Sequence, residues 1–247
     1  MIDKIYRDTY RINEWGSFGN VKTYLLVGKE KALLIDTGYG KTDLAKKVKL
    51  ITEKPVMVVL THGHIDHVGG SFRFKDVHLK REDLKIWMHH TDPSFMNEYF
   101  KTAPHHYQNP SDVPLTTIDL GQRSVEIIAT PGHTKGSISI IDKQGKAAFV
   151  GDFINPLDTW LGLEESLSVE EYHESLKYLQ EIMKVEGITK IYSGHNFVKM
   201  SPKIVEDYII LCEKIIHREI KTPKYKDKGI CKGYVARYKR AKLIYKR

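Results

Sequence analysis

The chain has 247 residues, of which 41% are hydrophobic and 28% charged, a composition that excludes fibrous and largely disordered proteins and is typical of a globular one. It carries 39 Lys and Arg against 31 Asp and Glu, a net charge of +8. No apolar run approaches the roughly 18 residues that a membrane-spanning helix needs.

The first block of predicted elements runs to residue 70. The apolar residues in 21–27 and 31–35 follow the pattern of strands, and those in 41–51 have the spacing of a helix. Residues 56–60 form a short apolar strand. A loop rich in Gly and His follows, and a helix is expected to begin at Gly69.

A middle segment, residues 81–114, is rich in His, aromatic residues and Pro. Its composition and its turn signals predict a lid or an insertion between the two blocks. The paired histidines His89, His90, His105 and His106 lie here. In such a segment paired histidines are more often a surface feature, so we do not assign them as metal ligands.

The second block repeats the pattern of strands and helices. We predict strands at 124–129, 137–141, 146–150 and 188–192, a long amphipathic helix at 169–185, and a helix at 201–216 with Ser201 as N-cap and Pro202 in its first position. Strands interleaved with helices in two blocks predict two sheets with helices outside, a four-layer α/β arrangement.

The positive charge lies almost wholly in the last segment. Residues 221–247 hold eleven Lys or Arg and one acidic residue, whereas the preceding 220 residues hold 28 basic and 30 acidic. We therefore divide the chain into a body, 1–220, and a basic, Tyr-rich tail, 221–247. The tail is expected to be a helix packed on the body through Tyr234, Tyr238, Ala241 and Tyr245. The alternative is a tail that binds nucleic acid, with basic residues on phosphates and Tyr on bases.

The cysteines and the N-terminus bear on location. Cys212 and Cys231 lack metal-type spacing, so reduced thiols are the default, with a disulfide as the alternative. Residues 3–11 are charged and aromatic, unlike a signal peptide. We expect a cytoplasmic protein without a membrane partner.

A dense cluster of polar residues follows the strand at 56–60. Residues 61–70 read THGHIDHVGG, which places His62, His64, Asp66 and His67 within six residues. Imidazole nitrogen and carboxylate oxygen are the ligands that zinc-class cations favour. A single His would be interpreted as a solvated loop residue, but this density predicts a metal site.

Three further candidate ligands each follow a predicted strand. His133 lies in TPGHTKGS, Asp152 in FVGDF and His195 in YSGHN. A Gly beside each allows a sharp turn of the backbone close to a metal. A structural zinc site normally takes four ligands, so seven candidates indicate two metal ions.

These residues closely resemble the metallo-β-lactamase superfamily, whose signature HxHxDH is intact from His62 to His67. The resemblance covers about the first 216 residues, and residues 34–38 are similar to the strand-end element that buttresses the metal loop in that family. It implies an α/β fold, a four-layer αββα sandwich. It also implies a ligand assignment: His62, His64 and His133 on the first metal, Asp66, His67 and His195 on the second, and Asp152 bridging both.

The identity of residue 152 narrows the activity that the resemblance implies. True β-lactamases carry Cys or Ser at the position of Asp152, which counts against antibiotic hydrolysis. With a bridging Asp at this position, the chain resembles the glyoxalase-II-like thioesterases, the lactonases and the RNA-processing nucleases of the family. The motif TPGHTKGSI, followed by GDF and SGH, is most similar to small acyl hydrolases, including the acyl-coenzyme-A thioesterase-like branch.

The expected function is hydrolysis of a small acyl substrate, a thioester, ester or lactone, by attack of a metal-bridging hydroxide. The cofactors would be two divalent ions, zinc in the first place, with iron or manganese as alternatives. Asp66 is the expected catalytic residue, because its carboxylate can orient the nucleophile and relay its proton.

Other functions remain open from the sequence. The same site with the basic tail suits an RNA or DNA phosphodiesterase. Persulfide dioxygenases resemble the chain at several of the same positions but use a single iron ion. A non-catalytic binding protein that has kept the fold is a third alternative, against which the complete ligand set argues.

Overall fold

A computed structural model describes residues 1–17, 19–100, 105–196, 198–225 and 231–247. Parts of the predicted lid and tail, residues 101–104 and 226–230, lie outside these ranges. The chain divides into two compact units, Met1–Ile127 and Ile128–Arg247. Each unit combines sheet and helix, as the two predicted blocks require.

The first unit is built on a seven-stranded sheet whose strands follow chain order. The strands are β1 (Ile2–Tyr6), β2 (Thr9–Gly16), β3 (Gly19–Val27), β4 (Ala32–Ile35), β5 (Val56–Val59), β6 (Val77–Leu79) and β7 (Ser111–Asp112). Pairing is antiparallel from β1 to β4 and parallel from β4 to β7. The helices are α1 (Leu44–Lys49), α2 (Ile65–Val68), α3 (Leu84–His90) and α4 (Pro93–Phe100).

A short antiparallel pair ends the first unit. It joins β8 (Thr117–Asp119) to β9 (Ser124–Ala129), and the boundary between the units falls within β9.

Strands β4 and β5 place the loop that carries the histidine cluster. Their sequences, ALLI and VMVV, are wholly apolar, as expected for strands covered on both faces. Leu34, Val58 and Leu60 belong to one core cluster with Val48 of α1. Because β4 and β5 are parallel, their carboxyl ends meet at one sheet edge, where the chain continues into Asp36 and into the histidine loop.

The second unit contains two groups of strands. In the first, β10 (Ile138–Asp142) pairs antiparallel with β11 (Ala147–Phe149), which pairs parallel with β13 (Lys190–Tyr192). The second is a four-stranded sheet in the order β12-β16-β15-β14. Its strands are β12 (Thr159–Leu161), β14 (Lys224–Tyr225), β15 (Gly233–Tyr238) and β16 (Ala241–Tyr245).

Two long helices complete the second unit, α5 (Val169–Val185) and α6 (Lys203–Ile216). Helix α5 has the predicted bounds, and a capping box between Ser168 and Glu171 fixes its start. The predicted N-cap of α6 is wrong. Pro202 takes that position with no side-chain cap, because its backbone is already helical (φ −52°, ψ −24°).

The predicted helix in the tail is also wrong: β15 and β16 form a hairpin there. In a helix the spacing of Tyr234, Tyr238, Ala241 and Tyr245 places them on one face. In the hairpin Tyr234 pairs with Tyr245 and Tyr238 with Ala241, so the same residues again share a face. The spacing therefore fits both structures. This face packs on the core of the second unit, as predicted for the stripe.

Several elements differ from the sequence-based expectation. The hairpin of β1 and β2 was not predicted, because charged residues interrupt the apolar pattern of both strands. The helix expected from Gly69 is wrong, since α2 ends at Val68 and a 3-10 turn, Ser71–Arg73, comes next. Cys212 and Cys231 are both buried and are not joined in a disulfide. Among the helices that the structure describes, none has the length and apolarity to cross a membrane.

Candidate metal centre

The four candidate ligands of the first unit lie together on the loop after β5. His62, His64, Asp66 and His67 are all at least nine-tenths buried. The ring centroid of His62 lies 4.7 Å from that of His64 and 4.1 Å from that of His67. His67 Nε2 lies 3.7 Å from Asp66 Oδ2. The motif therefore folds into one compact group of imidazoles and a carboxylate.

Asp36 holds this loop from behind. It follows β4 in a left-handed conformation (φ 62°), which Asp tolerates better than most residues. Its carboxylate accepts hydrogen bonds from the amide and the hydroxyl of Thr61, at 2.7 and 2.9 Å, and lies 2.7 Å from His67 Nδ1. A proton on Nδ1 leaves Nε2 of His67 as the metal-binding atom. The buttress predicted for residues 34–38 is confirmed.

The glycines that end the motif permit a close approach of two loops. A side chain on Gly69 would meet the carbonyl oxygen of Tyr39 at 2.4 Å, and one on Gly70 would meet that of Thr37 at the same distance. The His67 carbonyl accepts hydrogen bonds from the amide and hydroxyl of Thr37. Gly at both positions is therefore required for the metal loop to lie against the segment after β4.

Two residues of the predicted lid also hold the metal loop, and the sequence did not reveal them. The buried carboxylate of Asp83 accepts the Gly63 amide at 2.9 Å. His90 Nδ1 accepts the Ile65 amide at 3.2 Å, and its ring lies 5.3 Å from that of His64. Asp83 lies in the charged run KRED and His90 in a pair of histidines. The local sequence therefore does not distinguish either residue from one exposed to solvent. The interpretation of His90 as a mere surface residue is wrong.

The three candidate ligands of the second unit form a second group. Asp152 Oδ2 lies 3.1 Å from His195 Nε2 and 3.9 Å from His133 Nε2, so one carboxylate stands between two imidazoles. Gly151, in a left-handed conformation (φ 51°), turns the chain before Asp152. Its carbonyl accepts the Gly194 amide at 2.8 Å, which ties the loop of Asp152 to that of His195.

His133 is fixed by its backbone and by its ring. Its Nδ1 lies 2.8 Å from the carbonyl oxygen of Trp160, which requires a proton on Nδ1 and leaves Nε2 toward Asp152 as the ligand atom. Its own carbonyl accepts the Ser166 hydroxyl at 2.9 Å. His67 and His133 are thus oriented as metal ligands usually are, and His62 Nδ1 lies 3.1 Å from the Thr61 hydroxyl.

The donor chemistry of both groups fits a divalent metal. Each group offers imidazole nitrogens with carboxylate oxygens, the set that zinc-class ions prefer. The acceptors on Nδ1 of His67 and His133 are of the kind that orients ligating histidines in metalloproteins. A set of solvated loop residues would have neither this burial nor these partners.

The chain is similar to known proteins along most of its length. Residues 16–195 match the family model of the metallo-beta-lactamase superfamily. Human acyl-coenzyme A thioesterase MBLAC2 is 26% identical over 227 residues, covering 78% of each chain. Hydroxyacylglutathione hydrolase GloC of Haemophilus influenzae is 27% identical over 136 residues, covering 51% of this chain and 62% of that one.

Solved structures show the same fold. A metallo-beta-lactamase from Pontibacter korlensis superposes with a TM-score of 0.66 at 19% identity, covering 86% of this chain and 98% of the other. DIM-1 metallo-beta-lactamase gives a TM-score of 0.64 at 18% identity, covering 87% and 97%. The predicted fold class, the α/β metallo-β-lactamase sandwich, is confirmed. The chain belongs to the metallo-beta-lactamase superfamily and is a metal-dependent hydrolase.

Proposed function

We propose that this protein hydrolyses thioesters of small acyl groups with two zinc ions. The proposed ligands are His62, His64 and His133 for one ion and Asp66, His67 and His195 for the other, with Asp152 shared. Asp66 is the proposed catalytic residue. The family membership supports a metal-dependent hydrolase, and the proposal adds the number of ions, their identity and the substrate.

The position of Asp152 carries the proposal. Its Oδ2 lies 3.1 Å from Nε2 of His195 and 3.9 Å from Nε2 of His133, and these histidines are assigned to different ions. A carboxylate between two such imidazoles suits a shared ligand, whereas a Cys or Ser would offer one donor atom. The sequence therefore favours the branch of the family with a bridging Asp.

The similarity to two acyl hydrolases supports a thioester as substrate. One relative is named an acyl-coenzyme A thioesterase and covers 78% of this chain; the other is named a hydroxyacylglutathione hydrolase. Both names describe enzymes that act on an acyl compound, so the acyl group is the part of the substrate that the two relatives have in common. Lactones and oxygen esters are less activated members of the same acyl class.

The contacts of the chain's own residues support the roles proposed for them. When bound, two divalent ions supply Lewis acidity that lowers the pKa of water toward neutrality and polarises a carbonyl. Asp66, on the first turn of α2 and 3.7 Å from His67 Nε2, has a carboxylate suited to orient water and accept its proton. Asp36 and the Trp160 carbonyl hold two imidazoles in place.

The packing of the tail weighs against a nuclease. Tyr245 is buried, and Tyr234 and Tyr238 pack on the core of the second unit, so these rings are occupied by the protein itself. Arg247 also lies over the Tyr234 ring, at 4.0 Å. Base stacking by these side chains would require the hairpin to separate from the core.

A substrate panel with a matched variant tests the proposal. Wild type, Asp152→Ala and the control Glu174→Ala, which changes an exposed carboxylate on α5, are assayed on a thioester, a lactone, a phosphodiester and a β-lactam. Metal content is measured on the same preparations. We expect thioester turnover with two zinc ions in wild type and the control, and loss of both in Asp152→Ala.

Other results identify the competing functions. Preferred turnover of the phosphodiester would support the nuclease. A single iron ion with sulfur-dependent oxygen uptake would support the dioxygenase. Full thioesterase activity in Asp152→Ala would remove the shared-ligand role of this residue.

A further inference from the structure

A groove in the second unit is not used by the proposed chemistry. Its volume is about 970 Å³, which is in the range of ligand sites in proteins. It is formed by the start of α5, the end of α6, the segment after α6 and the end of β16. The lining residues are Ser168, Val169, Glu170, Ile215, Ile216, Arg218, Ile220, Lys221, Thr222, Pro223, Tyr245, Lys246 and Arg247.

The charge of the groove is strongly positive. Four cationic residues line it, Arg218, Lys221, Lys246 and Arg247, against one carboxylate, Glu170. Lysine and arginine side chains placed together in a concavity attract anions, and phosphates most of all, because each phosphate accepts several charge-assisted hydrogen bonds. The groove therefore suits a ligand that carries more than one phosphate.

The wall of the groove is largely apolar. Ile216 and Ile220, which are only partly buried, line it together with Pro223. Contact with an apolar wall does not stabilise a bound phosphate chain, whereas it stabilises a bound planar base by burying the apolar surface of the base. The positive charge of the groove suits the phosphates of a nucleotide, and its apolar wall suits the base.

The groove adjoins the segments that fix His133. The Leu167 amide, one residue before the groove begins, donates to the Gly132 carbonyl at 2.9 Å. On the other side, Tyr245 of the groove pairs with Leu161, the neighbour of the Trp160 carbonyl that holds His133. Since consecutive Cα atoms are about 3.8 Å apart, the groove begins within roughly 15 Å of this metal ligand.

We infer that this groove binds the 3′-phosphoadenosine diphosphate portion of a coenzyme A thioester, with the flexible pantetheine arm extending toward His133. The inference rests on the proposed thioesterase function and specifies its leaving group. The cations would contact the phosphates, and the apolar wall would cover the adenine.

Direct binding tests the groove without any hydrolysis. Adenosine 3′,5′-bisphosphate is titrated calorimetrically into wild type, Lys221→Glu, Lys246→Glu and the control Lys232→Glu, which changes an exposed tail residue that does not line the groove. We expect each groove variant to weaken binding by roughly tenfold or more, as the loss of a charged hydrogen bond to phosphate implies. The control is expected to change binding by less than about twofold.

Kinetics then separate this inference from the proposed function. An acyl-coenzyme A is compared with the acyl thioester of N-acetylcysteamine, which keeps the reacting bond but lacks the nucleotide. We expect the groove variants to raise KM for the coenzyme A substrate and to lower its kcat/KM relative to that of the truncated one.

Two patterns of failure are distinguishable. Hydrolysis of both thioesters with equal kcat/KM and no binding of the bisphosphate would overturn the groove inference and leave the thioesterase. Binding of the bisphosphate that the groove variants weaken, without hydrolysis of either thioester, would overturn the thioesterase and leave a nucleotide site. Equal weakening by Lys232→Glu would show that the general charge of the tail is responsible and would also overturn the inference.

Discussion

At the residue scale, Asp36 is the best-defined support of the metal loop, although it is not itself assigned as a ligand. Substituting Asn keeps the size of the side chain and its tolerance of a positive φ, but removes the charge that fixes the proton on His67 Nδ1. We expect Asp36→Asn to lower metal affinity by roughly 10- to 100-fold, as the loss of such partners usually does.

Chelator competition measures this loss of affinity in Asp36→Asn. Asp76→Asn is the matched control, because Asp76 also contacts a histidine, His78, but is exposed. Equal metal affinity in Asp36→Asn and wild type would contradict the assigned role.

The neighbouring histidines His89 and His90 offer a second test at this scale. His90 Nδ1 accepts the Ile65 amide, which leads into Asp66 and His67, whereas His89 is exposed. Removing an acceptor from a backbone amide costs about 1 kcal/mol, or roughly fivefold in an equilibrium constant. We expect His90→Ala to weaken metal retention by about that factor, and His89→Ala to leave it unchanged. Equal retention in the two variants would show that His90 does not hold the loop.

The candidate ligands were visible in the sequence because they follow strands and stand beside glycines. Their supports divide into two kinds. Asp36 could be predicted, since it directly follows a buried strand and belongs to a recognisable element. Asp83 could not, because a carboxylate in the run KRED becomes a partner of Gly63 only when α3 brings it there. Contacts that depend on tertiary packing leave no local pattern in a sequence.

At the element scale, the tail shows why spacing alone did not distinguish a helix from a hairpin. The hairpin turns at Lys239 (φ 47°) and Arg240, so residues at equal distances before and after the turn pair with each other. Residues that would form one face of a helix therefore also lie on one face of the hairpin. The β-branched and aromatic residues between Gly233 and Tyr245 favour strands, and β16 gains a second partner in β12. By contrast, both ends of α5 were predicted correctly, because its amphipathic pattern and its capping box indicate the same start for the helix.

Leu243 tests the importance of this hairpin for stability. Its side chain is fully buried in the core of the second unit, and its strand pairs with both β12 and β15. We expect Leu243→Ala to lower the free energy of unfolding by about 2–5 kcal/mol, as large-to-small substitutions in cores do. Arg237→Ala, at an exposed position of β15, should change it by less than about 0.5 kcal/mol. Urea denaturation measures both, and similar small effects would mean that the hairpin adds little to stability.

At the scale of the whole molecule, the fold could be assigned from the sequence because its two blocks of elements and its strand-end motifs keep the order of a known family. The interrupted patterns were harder. Charged residues interrupt the apolar pattern of β1 and β2, and Lys22, fully buried on β3, looks like an ordinary strand residue facing water. Burial of such a charge depends on the complete fold, and its energetic cost is a property of the folded state.

This cost makes stability depend on pH. Burial, with a smaller effect of the Arg11 charge, lowers the pKa of Lys22 from 10.5 to about 8. Between those values the unfolded chain binds the proton and the folded chain does not, so the contribution of Lys22 to the free energy of unfolding rises with pH. Below about pH 8 the folded protein holds a buried ammonium beside Asn20. Each tenfold loss of proton affinity on folding costs about 1.4 kcal/mol of stability in this range.

Lys22→Met removes this ammonium and keeps most of the side-chain volume. We expect the variant to be more stable than wild type near pH 7 by about 1–3 kcal/mol, and this advantage to shrink toward about pH 10 as the wild-type amine loses its proton. Urea denaturation at several pH values measures the difference, with Lys29→Met, at an exposed position beside the same strand, as control. An advantage that does not change with pH would show that packing, rather than the buried charge, determines the effect, because packing alone is insensitive to the protonation of the amine.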